Sequence, residues 1–257
     1  MAATVLSGTS GALYYKPAGT TGTFGETDVD ASTDIITLPA FLNLKVDDPV
    51  KFSVVNTQTG GAGTGTLPAG LTAGTEVFIL TYNASTGATT VAATAGGSAI
   101  DITDDGTATG NNAFQIEYSE FEAVGQVQNW SFEINRAEID VTTIGQTPGQ
   151  FAPFRAYIPG FADGNGSATI FTTDSDTALS SRMVEDVLQR QQVGCAFKLY
   201  IDQIFTGGAV DNTQSRSIAM DATLLTASLS VNPDDAQVVE ITFRPTDTPT
   251  FDLSKSA

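Results

Sequence analysis

Histidine is absent from this chain of 257 residues, cysteine and tryptophan occur once each, and 11 basic residues face 29 acidic ones. Without imidazole, the commonest general base and the commonest transition-metal ligand are missing. Serine-histidine and cysteine-histidine nucleophile systems cannot be assembled, which leaves only lysine- or carboxylate-assisted chemistry. A single cysteine excludes an internal disulfide. Cys195 stands in the apolar run Cys195-Ala-Phe197-Lys-Leu199-Tyr-Ile201, where a buried thiol is the favoured reading. The net charge of -18 repels a phosphate backbone and disfavours groove or phosphate-clamping recognition of nucleic acid. Long apolar runs are missing too: Val77-Phe-Ile-Leu80 falls far short of the roughly 18 residues that cross a bilayer, so no membrane insertion is expected. The opening MAATVLSGTSGALYYK has neither a basic start nor a sustained apolar middle, so no secretory signal is expected.

What is abundant is Thr, Ala, Gly, Val and Asp, with Gly and Thr punctuating short apolar runs, the texture of a mainly β protein. The length suits one large or two ordinary domains. Residues 1–33 read as a small-residue arm with one strand candidate, Ala12-Leu-Tyr-Tyr-Lys16, that needs a partner strand because such an arm cannot build its own core. Residues 34–118 read as an inserted small all-β domain, short strands spaced by the turn signals Leu67-Pro-Ala-Gly70 and Asn83-Ala-Ser-Thr-Gly87. Residues 119–251 read as the main domain and 252–257 as a tail.

The main domain centres on GQVQNWSFEINRAEIDVTTIGQTPGQFAPFRAYIPG, residues 125–160. In Trp130-Ser-Phe132-Glu-Ile134-Asn the apolar residues fall on every second position, the period of a strand with one buried face. The phase breaks near Arg136-Ala137 before Ile139-Asp-Val141-Thr, so a bulge or turn is expected there. Gly166 to Thr172 reads as a strand. DSDTALSSRMVEDVLQRQQVG reads as the single helix, capped by Asp174 or Ser175, with Asp176 in its first turn and Gly194 at its exit. Its apolar stripe is Leu179, Met183, Val184, Val187 and Leu188, with Arg182, Glu185, Asp186 and Arg190 off it, so the helix should lie flat on a sheet. Ala196 to Ile201 is a strand. Arg216 to Val231 is a long one with a bend where Leu224 gives way to Leu225, and Val239, Ile241 and Phe243 return as its hairpin partner. PTDTPTFDLSKSA reads as a tail.

No phosphate-cradling loop, metal-ligand spacing or nucleophile motif appears, so no catalytic, cofactor or metal residue is assigned. Asp101-Ile-Thr-Asp104-Asp105-Gly lacks the spacing of a helix-flanked calcium loop and reads as a solvated acidic turn. Glu133 with Glu138 and Asp140 could in principle split acid and base roles, as in glycoside hydrolysis, but a solvated strand face accounts for them better. The sequons at Asn83, Asn129 and Asn165 read as chance matches.

The order of a Trp130 strand, Asp140-Val-Thr-Thr143, a Pro/Gly/Gln loop, Tyr157-Ile-Pro-Gly160, a Gly/Ser strand, one helix and a final long hairpin resembles the tail tube (major tail) proteins of tailed bacteriophages. The resemblance covers about Gln115 to Phe251, with a weaker stretch at Ala12 to Gly19. It implies a tail-tube fold of two packed β-sheets with one flanking helix. It also implies polymerisation as a homo-oligomer, hexameric rings stacked into a hollow conduit for genome ejection. Partners would be other tail proteins (tape measure, terminator, baseplate or distal tail, and sheath if the tail contracts) and double-stranded DNA in passage. The location would be the virion, after synthesis in the host bacterial cytoplasm. Residues 34–118 are a departure from compact members and resemble an accessory β-module of phage structural proteins. On this reading Glu133, Glu138, Asp140 and Glu240 line the channel, and Leu13, Tyr14, Tyr15, Thr143, Ile144, Phe151 and Phe154 make contacts between rings. The competing class is a β-sandwich adhesin recognising carbohydrate or protein on a cell or virion surface.

Overall fold

The computed structural model describes residues 11–125, 127–141, 155–172, 179–230 and 236–254. Its strands are β1 (Ala12–Lys16), β2 (Gly22–Phe24), β3 (Val29–Asp30), β4 (Ile35–Thr37), β5 (Pro49–Asn56), β6 (Glu76–Tyr82), β7 (Ala88–Ala92), β8 (Asn112–Tyr118) and β9 (Glu122–Ala123). They continue with β10 (Val127–Asp140), β11 (Tyr157–Phe171), β12 (Ala196–Asp202), β13 (Phe205–Thr206), β14 (Ala209–Val210), β15 (Arg216–Ser230), β16 (Val238–Pro245) and β17 (Thr250–Asp252). The α-helix among the described residues is α1, Leu179–Asp186.

Two large antiparallel sheets and the two-stranded β13-β14 hairpin are formed among the described residues. The larger runs β10-β11-β16-β15-β12-β1-β9, with β17 also on β15; the smaller runs β2-β8-β5-β6-β7-β4-β3. In the larger sheet β15 belongs to two layers. Its first half pairs with β12, and its second half, past Ala222, pairs with β16. The extra residue Leu225, between the pairs Leu224↔Phe243 and Thr226↔Thr242, is the expected bulge. The two halves of the sheet thereby enclose one core. Leu13, Tyr15, Phe197 and Leu199 from one side meet Ile170, Val239, Ile241 and Phe243 from the other. The Phe197 and Phe243 rings stack with centroids 4.1 Å apart. The fold is thus mainly β, two packed layers flanked by one helix among the described residues, as the resemblance implies. Gly166 is required inside it, because a Cβ there would come within 2.2 Å of the Phe243 ring.

The smaller sheet has its own core around Phe24, Phe52, Ile79, Phe114 and Ile116. Its edge strands are only two or three residues long, which leaves little backbone for a foreign strand to pair with. β2, which the sequence reading leaves in the arm, pairs with β8, so this unit starts about a dozen residues before Asp34. β1 keeps to the larger sheet, between β12 and β9. Thr250–Asp252, within the stretch read as a tail, pair with Ser217–Ala219 of β15.

The helix departs from its sequence reading in two ways. It ends at Asp186 rather than running to Gly194, and Leu188 is left 86% exposed. Leu179 and Met183 do enter the larger core, but Arg182 and Asp186, off the stripe, are buried as well. The physical reason is a second covering surface: the smaller unit packs over the helix face that would otherwise meet water. Arg182 makes a two-pronged pair with Asp48, Nη1 to Oδ1 at 2.5 Å and Nη2 to Oδ2 at 2.8 Å, and Nη2 also donates to the Asn43 carbonyl. Asp186 accepts from Tyr15 Oη at 2.6 Å, Ala18 N at 3.1 Å and Asn43 Nδ2 at 2.5 Å. The cap residues Asp174, Ser175 and Asp176 lie outside the described residues.

Candidate assembly interface

The long hairpins β10/β11 and β15/β16 form a four-stranded ribbon, and pairing register fixes its faces. Trp130↔Ala168↔Ile241↔Ala227 and Phe132↔Gly166↔Phe243↔Leu224 look into the core. The other face carries Asn129↔Thr169↔Glu240↔Ser228 and Ser131↔Ser167↔Thr242↔Thr226. Hydroxyls pair across this polar face, Ser131 with Ser167 at 2.9 Å and Thr226 with Thr242 at 2.6 Å. Glu133 shares it, opposite Asn165, as does the pair Arg244–Asp163 at 3.6 Å.

The expected phase break is present, but the extra residue lies in the opposite strand. Arg136 pairs with Ala162 and Glu138 with Pro159, so Ala137 faces the two residues Gly160 and Phe161, while β10 runs through without interruption. Two consequences follow from strict alternation. Glu138 and Asp140 fall on the face opposite Glu133 and Glu240, which corrects the expectation that the four carboxylates share one surface. It also separates Glu133 from Glu138 and Asp140 as an acid/base constellation. Ile139, Val141 and Ile158, conversely, bring apolar surface to the tip of the polar face, where the core does not cover them; Ile139 and Ile158 are directly paired and each about half exposed. Phe161, extruded at the bulge, is 93% exposed. Asp140 lies 3.8 Å from Arg155.

Both margins of the ribbon are open among the described residues. β10 has β11 on one side and no strand on the other. β15 beyond Ala222 has only β16, because β12 stops at the Ala196↔Asp221 pair. Gln192 closes the first step of that margin, accepting from Leu224 N at 2.7 Å and donating to its carbonyl at 3.1 Å. Leu225 to Ser230 follow uncovered, with Leu225 and Leu229 about half exposed.

The sequence-named contact residues divide. Leu13 and Tyr15 have no exposed surface, since they are packed in the larger core, and Tyr15 is also fixed by Asp186; this corrects the expectation that they reach another ring. Tyr14, on the opposite face of β1, is partly exposed and receives a hydrogen bond from Gln203 at 2.7 Å. Thr143, Ile144, Phe151 and Phe154 lie outside the described residues. Sequence reasoning missed Phe161, Leu225 and Leu229 as exposed apolar surface; the signal was the phase break itself, which marks where apolar residues leave the core side.

Electrostatics mark the seam between the two units rather than the ribbon. Burial works against the Arg182 guanidinium, yet the hydrogen bonds and charge of Asp48 hold its pKa above the ordinary value. Burial raises the Asp186 and Glu122 carboxyls and the Tyr15 and Tyr118 phenols, and pushes the Cys195 thiol up to about 12. The Asp101–Asp105 turn is organised by Asp104, whose Oδ1 accepts from Ala69 N and Gly106 N, both at 2.9 Å. No group of three or more metal-binding side chains occurs among the described residues.

No family model matches the chain, and no curated protein matches it in sequence. Among solved structures it is similar to a chain of the virion of a native gene transfer agent particle, at 13% identity and a TM-score of 0.37, over 51% of this chain and 88% of that one. It is similar also to a chain of the tail of an empty gene transfer agent particle with C6 symmetry, at 13% identity and a TM-score of 0.36, over 51% and 86%. A third similarity is to the SPP1 tail tube, at 11% identity and a TM-score of 0.36, over 52% and 70%.

Proposed function

We propose that this chain is a structural virion protein, a tail tube subunit that polymerises as stacked hexameric rings into a hollow conduit for genome ejection. One observation carries the reading: a four-stranded ribbon with, among the described residues, an open margin on each side, β10 on one and the Leu225–Ser230 half of β15 on the other. Open margins of that length expose unpaired N–H and C=O groups and invite another strand. Because the two margins are different surfaces, joining them between copies is heterologous, and a heterologous contact closes into a ring when the rotation allows. The closed ring is then a continuous barrel that leaves no edge.

The polar face supports the same reading. Its Ser, Thr and Asn side chains carry Glu133 and Glu240, and its Arg244 is already matched by Asp163. Facing a bore, this surface gives DNA nothing to adhere to, and its carboxylates repel phosphate so that a duplex can slide. The apolar tip, Ile139, Ile158 and Val141, with the extruded Phe161, is the surface for neighbouring copies, together with the segment 142–154. Other tail proteins would meet the ends and exterior of such a tube, and the smaller unit projects from it.

The test is electron microscopy of the purified chain under assembling conditions, beside Leu225→Lys/Leu229→Lys. Both side chains are exposed in the subunit, so the variant should melt within a few degrees of wild type while losing tubes and rings. Assembly undiminished by lysines on that margin would sink the ribbon-to-ribbon contact. Wild type that stays monomeric at high concentration would count against the tube itself.

A further inference from the structure

Four lysines lie among the described residues, and they divide sharply. Lys45 pairs with Glu185 at 2.8 Å and Lys51 with Glu117 at 3.4 Å. Lys16 and Lys198 have only neutral close partners. Lys16 Nζ donates to the Tyr118 carbonyl at 3.4 Å and stands 5.2 Å from the Phe121 ring centroid. Lys198 Nζ donates to Asn212 Oδ1 at 2.7 Å and stands 4.9 Å from the Tyr200 ring. Neither makes an ion pair among the described residues, although both are partly buried.

These two unmatched ammonium groups open on the same cleft. It holds about 510 Å³ between β1 and β12 of the larger sheet and the smaller unit, and Lys51, Tyr14, Phe121 and Tyr200 also line it. Glu120 is the acidic residue on its wall. Glu120, Glu117 and Asp221 act on Lys16 only from beyond ion-pair distance, and burial prevails, lowering the Lys16 pKa. A partly desolvated cation without an anion is unfavourable until an anion arrives. In a chain of charge -18, a concavity lined by three of the four described lysines is an exception that self-repulsion alone does not produce.

We infer that this cleft binds an acidic peptide segment through Lys16 and Lys198, and that in the assembly the segment belongs to a second copy of this chain. The choice of a peptide follows from shape and charge together. The Tyr14 and Tyr200 rings meet edge to face at 5.2 Å and give the cleft an aromatic wall that a lone inorganic anion would not use. A nucleic acid would have to bring its phosphates against the rest of an acidic surface. A second copy is the acidic partner present in greatest number, with 29 carboxylate residues of its own. That last step rests on the assembly proposed above; the site does not.

The experiment titrates the full chain into a fluorescein-labelled hexaglutamate peptide at low salt and follows anisotropy. Wild type should bind, Lys16→Met/Lys198→Met should bind about tenfold more weakly or worse, and Lys16→Arg/Lys198→Arg should retain binding. Arg190→Gln, outside the cleft, is the control for charge alone and should leave affinity unchanged. Melting curves establish that each variant is folded. No binding by wild type, or equal binding by the methionine variant, overturns the site. Inorganic phosphate or an oligothymidylate displacing the peptide at lower concentration than unlabelled hexaglutamate overturns the ligand class. In the assembly arm, Lys16→Glu/Lys198→Glu should assemble less than wild type, and tubes of unchanged yield overturn the second-copy assignment. Wild type that binds peptide yet forms no tube leaves the site standing and removes the tube reading.

Discussion

Arg182 is a helix residue that an amphipathic reading assigns to solvent, and its environment makes it among the most consequential side chains of the seam. Its pair with Asp48 has both side chains within 8% of full burial. Removing one member leaves a buried charge uncompensated, so Arg182→Met should lower unfolding stability by roughly 3–5 kcal/mol. Arg182→Met/Asp48→Asn should recover much of that loss, because no charge is then stranded. Denaturant unfolding of the three proteins checks both steps, and a single variant as stable as wild type would remove the pair from the account. Glu122 gives a pH test. Burial raises its carboxyl pKa, so the folded state holds that proton more tightly than the unfolded chain does. The sign follows: the contribution is harmless at low pH, where both states are protonated. It becomes unfavourable as pH rises from the ordinary carboxylate value through the raised folded value. Glu122→Gln should therefore melt above wild type near neutral pH, with the difference shrinking toward about pH 4. A difference independent of pH would show that ionisation is not the cause.

At the scale of elements, the hairpins explain which parts of the sequence were legible. The alternation Trp130-Phe132-Ile134 against Ser131-Glu133-Asn135 states a strand with one buried face; Trp130 and Phe132 are partly buried against the core, whereas Ile134, in the same phase, is about half exposed because the core ends before it. The break after Ile134 announces an irregularity, but not in which strand, because an extra residue on either side shifts the pairing equally. Only the register shows it at Gly160–Phe161, and that location decides which face Glu138 and Asp140 occupy. The helix repeats the lesson: its stripe identified Leu179 and Met183 as core, but Asp186 is buried by contacts from residues as distant in sequence as Tyr15 and Asn43. Gly166 reads in the sequence as one more small residue of a Gly/Ser strand. In the structure it is the opening into which the Phe243 ring fits, with Phe132 on the neighbouring strand. Gly166→Ala should destabilise the subunit by about 1–3 kcal/mol through overpacking, read as a lowered denaturation midpoint. An unchanged midpoint would mean that Phe243 yields its position freely.

For the whole molecule, charge opposes the proposed association of copies. Copies of a chain at -18 repel one another over a Debye length, and salt shortens that reach. Raising ionic strength from about 10 mM to about 150 mM should speed polymerisation of purified subunits, followed by light scattering. Polymerisation slowed or unaffected by salt would show that long-range repulsion is not the barrier. The lysine cleft responds with the opposite sign, since hexaglutamate affinity falls as salt rises, so the two effects are separable along one axis.

The sequence alone determined that the chain is mainly β, where β10 and the final hairpin run, and that imidazole chemistry and an internal disulfide are closed to it. Those properties reside in composition and in a period of two residues, both local. Tertiary structure decided which carboxylates share a surface, which polar helix residues are buried, and where unmatched lysines converge. Each of these depends on strands or units far apart in sequence meeting in one register, and no local pattern encodes that meeting.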